Sequence, residues 1–314
     1  MRVYVRLTWW LLRALGALPL PALSVLGRAL GHALWWRRRA RERVHTEVNL
    51  RIVRPDLDDV ARAQLMRACL VETGCAVTEM AAVWGRGARR ALHLVRAVEG
   101  LEHFEAALHS GRGLILAAPH LGCWELLNYW LCAHTPIAIL YAPPRNLAWE
   151  ALLVRARGDL GPEQVRADGA GVRRLFKRLA AGGVVGILPD QQPKRGEGRF
   201  APFFGVAANT MVLLPHLARR TGATVLFAFA ERLPRGAGFR IRIRPAPAGI
   251  ADPDLDVACA ALNRGVEDCA RLALTQYQWV YKRWSERPQP NTPDPYWLAR
   301  NGRWDEIDAV IRST

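Results

Sequence analysis

The residues best suited to chemistry lie in the segment Leu114-Ile-Leu-Ala-Ala-Pro-His-Leu-Gly-Cys-Trp-Glu125. An apolar run ends at Pro119, His120 follows at once, and Glu125 stands where a helical pattern begins. A neutral imidazole takes a proton from an alcohol, and a carboxylate on its other nitrogen fixes the tautomer and stabilises the imidazolium. The spacing predicts that His120 and Glu125 meet across one tight turn, as a general base and its orienting acid. Such a pair activates a hydroxyl acceptor rather than a protein nucleophile. The sequence has no G-x-S-x-G elbow and no H-E-x-x-H pattern. Cys123, three residues along the same turn, has poor geometry for a thiol nucleophile paired with His120.

Two further segments carry polar groups at the end of an apolar run. Gly186-Ile-Leu-Pro-Asp-Gln-Gln-Pro ends a second strand-like run at Asp190, and a glycine-rich loop with Lys194, Arg195 and Arg199 follows. In open α/β sheets ligands bind beyond the carboxyl ends of the strands, so His120 and Asp190 are expected to share one rim. The basic loop suits a phosphate or phosphorylated sugar. Phe200, Phe203 and Phe204 either line an acyl groove or pack the loop. Tyr141-Ala-Pro-Pro-Arg145 leaves a third strand, with Arg145 able to reach a phosphate or polarise a carbonyl.

The elements that must position these groups read as an α/β alternation. Strands are expected at 114–118, 137–141, 184–188, 224–230 and 239–244. Helices are expected at 58–83, 101–109, 125–134, 147–157, 172–181, 211–221 and 254–274. Continuous apolar strands between helices predict a mixed, mostly parallel central sheet flanked by helices. The strict alternation of Phe239-Arg-Ile-Arg-Ile-Arg244 predicts an edge or antiparallel strand with one solvated face. The tail, rich in Pro and Trp, is expected to wrap the surface.

Residues 7–36 are mainly apolar but interrupted by Arg13, Pro19, Pro21 and Arg28. A central Arg costs about 2.5–3.5 kcal/mol on insertion scales, which makes a uniform transmembrane helix a poor reading. Trp9, Trp10, Trp35 and Trp36 sit near the two ends, as interfacial anchors do, and Arg37-Arg-Arg-Ala-Arg-Glu-Arg43 follows. This pattern predicts an anchor over residues 1–43, a membrane-inserted or re-entrant hairpin broken at Pro19–Pro21. A catalytic domain over 44–314 would then face the cytoplasm. The alternative is an amphipathic helix pair packed on the domain.

The 314 residues carry a formal net charge of +16, which implies an anionic partner. A nucleic-acid reading has no helix-turn-helix, zinc-finger or RNA-recognition pattern behind it, and the charge is spread beside an apolar anchor. The six cysteines form no C-x-x-C pair, so reduced core thiols and no metal site are expected.

Taken in order, these segments resemble the lipid A biosynthesis acyltransferase family, the late lauroyl and myristoyl transferases of Gram-negative bacteria. The likeness covers the N-terminal anchor, the basic run, His120-Leu-Gly-Cys-Trp-Glu125, Pro189-Asp-Gln-Gln and Phe203-Phe-Gly205. The family's H-x4-[DE] motif falls on His120 and Glu125. The resemblance implies acyl transfer from acyl carrier protein, or from acyl-CoA, to a hydroxyl of a phosphorylated disaccharide lipid. It implies no metal or organic cofactor, and a bacterial inner-membrane location. Other members acylate other glycolipids or ornithine lipids, and a rival reading is a glycerolipid acyltransferase acting on lysophospholipid or glycerol phosphate. Two positions depart from the family pattern: Cys123 stands where many members have Asn, and Ala142 where many have Arg, the nearest Arg being Arg145.

Overall fold

In the computed structural model, residues 3–141, 163–194 and 196–312 are described. Seven strands form the main sheet: β1 (Val95–Glu99), β2 (Leu114–Ala117), β3 (Ile137–Tyr141), β4 (Glu163–Arg166), β5 (Val184–Ile187), β8 (Thr224–Arg232) and β9 (Phe239–Pro245). Their order is β1-β9-β8-β2-β5-β3-β4. From β8 to β4 all neighbours run parallel. β9 turns back antiparallel on β8 and carries β1 beside it. The expected mixed, mostly parallel sheet is therefore present. β9 is the antiparallel strand that its alternation predicts, with Phe239, Ile241 and Ile243 buried and its arginines on the other face.

Four strands escaped the sequence reading. β1 and β4 are short and polar outer strands. β6 (Gly198–Phe203) and β7 (Val206–Met211) form a separate hairpin. Gly and Pro hid this hairpin inside what reads as a loop, because both residues are depleted in strands.

Alternate residues of the central strands feed two cores, one on each face of the sheet. Leu114 and Leu116 of β2 join the layer beneath α6 (Leu101–His109) and α7 (Trp124–His134). Ile115 and Ala117 join the opposite layer, built on α3 (Arg41–Val53) and the helices Gly169–Ala180, Leu213–Thr221 and Leu255–Leu272. The expected helix at 147–157 lies outside the described residues.

At the N-terminus, α1 (Val3–Gly16) and α2 (Leu20–Trp36) pack on α4 (Asp59–Arg86). No single helix among the described residues is long and apolar enough to cross a membrane; α1 and α2 qualify only together, as a pair bent by 119°. At 1.5 Å per residue they span about 21 and 26 Å, short of the roughly 30 Å hydrocarbon core. They meet α4 through glycines: a Cβ on Gly74 would lie 2.1 Å from the Gly27 carbonyl oxygen. One apolar side stays in solvent, including Leu7, Trp10, Leu11, Val25 and Trp36. Arg232, at the end of β8, ties α4 to the sheet. Its guanidinium is buried and pairs with both oxygens of Glu79 and with Glu72.

The tail departs from the expectation of a surface wrap. Trp279 and Trp284 are buried in the core, and residues 276–278 run along the rim of the sheet.

Candidate active site

The rim is assembled by register. β2 and β5 are parallel neighbours with Ala117 opposite Ile187, and Ala118 N–H donates to the Ile187 carbonyl at 2.9 Å. Each strand runs three residues further, through a proline, to a polar side chain. His120 and Asp190 therefore leave the sheet side by side. Asp190 Oδ1 lies 2.7 Å from His120 Nδ1, and its Oδ2 accepts from the His120 backbone N–H at 2.8 Å.

This changes the expected pairing. The carboxylate on His120 Nδ1 is Asp190, not Glu125. The turn after His120 is drawn toward β8, where Cys123 N–H donates to the Ala230 carbonyl at 2.9 Å. Gly122, at φ +61°, passes so close to Ala230 that a Cβ would lie 2.0 Å from its carbonyl oxygen. Only glycine fits there. The turn delivers Glu125 to the first turn of α7, where it is buried and accepts from Trp84 Nε1 of α4 at 3.2 Å.

Asp190 is 3% exposed. Burial opposes its ionisation. The charge of His120 and the hydrogen bonds from its ring and its backbone N–H outweigh that, and hold the carboxyl below its ordinary value of 3.8. An ionised carboxylate only accepts, so Nδ1 of His120 is the protonated nitrogen and Nε2 carries the lone pair. Gln191 Nε2, 3.2 Å away, donates to that lone pair. Gln191 in turn donates to Gln278 Oε1 at 3.3 Å. The side chain of His120 keeps 14% exposure at the rim.

The Trp124 ring meets His120 edge-on, with centroids 5.3 Å apart. The same ring borders a small apolar crevice between α7 and strands β2, β3 and β5, with a cavity volume of about 30 Å³. Its walls include Leu116, Leu127, Leu131, Ile139, Gly186 and Leu188.

The other sequence candidates are distributed unevenly. Arg145 and Arg195 lie outside the described residues. Lys194 is exposed in the loop beyond Asp190. Arg199 sits on β6, where its Nε pairs with Asp256 Oδ1 at 3.2 Å. Phe203 is buried against Trp284 and Tyr277, and Phe204 stacks edge-on with Phe203, so these two pack the hairpin. Burial pushes the Cys123 thiol well up, which removes it as a nucleophile. Gln191, Tyr277 and Gln278 were given no role by the sequence. Gln191 adjoins Asp190 in the strand-exit block, but nothing local marks the other two.

The fold and its rim define an α/β enzyme with histidine at the carboxyl edge of a parallel sheet. The chain belongs to the bacterial lipid A biosynthesis acyltransferase family, whose model matches residues 2–286, and it is an acyltransferase. It is similar to the lipid A biosynthesis lauroyltransferase of Escherichia coli (strain K12), 27% identical over 276 residues, 87% of this chain and 88% of that protein. It is similar also to the lipid A biosynthesis palmitoleoyltransferase of the same organism, 28% identical over 290 residues, 90% of this chain and 92% of that protein. A phosphatidylinositol mannoside acyltransferase of Mycobacterium tuberculosis is 33% identical over 158 residues, 48% of this chain and 49% of that protein.

Proposed function

We propose that this protein transfers a fatty acyl chain from an acyl thioester to a hydroxyl of a lipid A precursor at the inner membrane of a bacterium, facing the cytoplasm. The donor is acyl carrier protein or acyl-CoA. The acceptor is a phosphorylated glycolipid, and neither nucleic acid nor metal nor organic cofactor takes part. The observation that carries this reading is His120, backed by Asp190 on Nδ1, with its ring at the rim of the sheet beside a small apolar crevice.

In the mechanism, His120 Nε2 takes the proton of the acceptor hydroxyl as that oxygen attacks the thioester carbonyl. The tetrahedral oxyanion is stabilised by Arg145 or by backbone N–H groups. Its collapse breaks the carbon–sulfur bond, and the imidazolium returns the proton to the departing thiolate. Asp190 holds the Nδ1 proton and balances the charge on the ring. Glu125 acts within the site from the start of α7 and not as the partner of Nδ1. The acyl chain lies against the crevice, and Lys194, Arg195 and Arg199 favour an anionic headgroup.

Residues 1–43 form the anchor and 44–314 the catalytic domain. The exposed apolar side of α1 and α2 supports an interfacial seat. α4 carries these helices and is bound by Glu79 and Glu72 to Arg232 at the carboxyl end of β8.

Purified protein, given an acyl thioester and the lipid A precursor, is expected to form an acyl ester detected by lipid mass spectrometry. His120→Ala is expected to lose about 10²–10⁴-fold in rate. Wild-type rates in that variant would end this reading. The mycobacterial relative motivates another acceptor class, and competition with lysophospholipid, ornithine lipid and other glycolipids separates the two.

A further inference from the structure

The two glutamines after Asp190 are used differently. Gln192 is built into the frame. Its N–H donates to the Tyr281 hydroxyl at 2.9 Å, its Nε2 to the Lys282 carbonyl at 2.6 Å and the Ser285 hydroxyl at 2.9 Å, and its Oε1 accepts from Glu286 N–H at 3.1 Å. Gln191 turns to the base instead. One N–H of its amide lies on His120 Nε2 at 3.2 Å and the other on Gln278 Oε1 at 3.3 Å. Asp190 decides which end of this amide faces the imidazole. With Nδ1 protonated, Nε2 only accepts, so the amide nitrogen and not its oxygen stands there.

The backbone around this contact is fixed on both sides. Gln278 N–H donates to the His120 carbonyl at 3.0 Å, and Leu121 and Tyr277 pair antiparallel beside it. Asn49 of α3 holds the following residues through the Trp279 and Tyr281 carbonyls. The side chains of Gln191 and Gln278 are only half-buried, so the amide has a way out. An imidazole nitrogen has a single in-plane lone pair, and a hydroxyl gives up its proton along it. The Gln191 amide occupies that direction. It is far too weak an acid to be deprotonated, so it caps the base without reacting, and any oxygen nucleophile must displace it. A lipid hydroxyl arrives with remote contacts whose binding energy offsets the displacement, whereas a water molecule brings none.

We propose that Gln191 determines acceptor specificity in the acyl transfer: its amide, tethered by Gln278, caps His120 Nε2 against water and yields to the hydroxyl of a bound lipid. The proposal rests on the reading of His120 as the base. Without the cap, a water molecule takes the lone-pair position. Its oxygen attacks the thioester carbonyl carbon while Nε2 accepts one of its protons. Collapse of the adduct breaks the carbon–sulfur bond, the imidazolium returns the proton to the departing thiolate, and the products are free fatty acid and thiol. The cap thus directs the acyl group to the lipid rather than to solvent.

The test measures two rates with the full chain and the same acyl thioester: hydrolysis to free fatty acid without acceptor, and transfer to the lipid A precursor. The parent is expected to hydrolyse far more slowly than it transfers. Gln191→Ala is expected to hydrolyse about tenfold faster than the parent, the order of one net hydrogen bond, and to show a lower acceptor KM. Gln278→Leu cuts the tether but leaves Gln191 in place, and a gain of about twofold in hydrolysis is expected. It decides the matter should Gln191→Ala fail to fold. Adding His120→Ala to either variant is expected to abolish the gain, which must pass through the base; a merely structural role for Gln191 would produce no gain at all. Three results would overturn the proposal and leave the acyltransferase reading intact. They are parental hydrolysis in the folded variants, a gain that survives His120→Ala, and a fall of both rates by about 10²–10³-fold, the mark of a lost oxyanion donor. Absence of transfer by the parent, or parental transfer by His120→Ala, would instead overturn that reading.

Discussion

At His120 the two ring nitrogens are set apart by their partners. Asp190 takes the Nδ1 proton, and the Gln191 amide sits where a substrate hydroxyl would donate to Nε2. Asp190→Asn can present its amide N–H to Nδ1 and favour the wrong tautomer, so kcat is expected to fall by about 10²–10⁴-fold with small changes in KM, measured in the same transfer assay. The ionised carboxylate also bears on stability. Its folded value lies below the ordinary 3.8, so its contribution is present in full above about pH 4 and is lost as pH falls through the folded value. Thermal melts between pH 5 and 2 are expected to fall more steeply for the parent than for Asp190→Asn. Equal slopes would count against an ionised Asp190. Much of this was legible in the sequence, because two apolar runs each end in proline followed by a polar residue. The choice of Glu125 as partner failed because spacing along one turn says nothing about what pulls on that turn. Here the backbone of that turn is bonded to Ala230 and Gln276, and the carboxylate that reaches Nδ1 comes from the neighbouring strand. The pairing of Tyr277 with Leu121 and of Gln278 with Gln191 could not be found at all, since both depend on how the tail crosses the rim.

Two contacts between elements make sharper demands than their sequences suggest. Gly74 lets α2 and α4 approach until backbone meets backbone. Gly74→Leu must separate them, with an expected loss of at least the roughly 1–3 kcal/mol typical of overpacking, read by chemical denaturation. Gly186 lies on the wall of the crevice, where a Cβ would meet Ile137 and Ile139 at 3.3 and 3.4 Å. Gly186→Val narrows the crevice, and the preferred acyl donor is expected to shorten, measured by competition among thioesters of different chain length. Unaltered chain preference would place the acyl chain elsewhere. The strongly apolar central strands were readable because burial on both faces leaves continuous hydrophobic runs. The polar outer strands β1 and β4 and the hairpin β6–β7 were not. Their pairing is decided by neighbours distant in sequence, and their composition reads as loop.

Across the whole molecule the net charge of +16 and the exposed apolar side of α1 and α2 act together. An anionic surface attracts juxtamembrane cations at about 1 kcal/mol each, and the attraction is screened by salt. Replacing Arg37, Arg38 and Arg39 by Gln is expected to weaken binding to vesicles rich in anionic lipid, while the double variant Trp10→Ser with Trp36→Ser weakens binding to neutral vesicles as well. Co-sedimentation at low and high salt separates the two effects. The central claim is that His120, oriented by Asp190, activates the lipid hydroxyl. The most direct measurement compares acyl transfer to the lipid A precursor by the parent, His120→Ala and Asp190→Asn, each checked for folding. The account predicts product from the parent and losses of at least about 10²-fold in both variants. Transfer at the parental rate by either folded variant would contradict it.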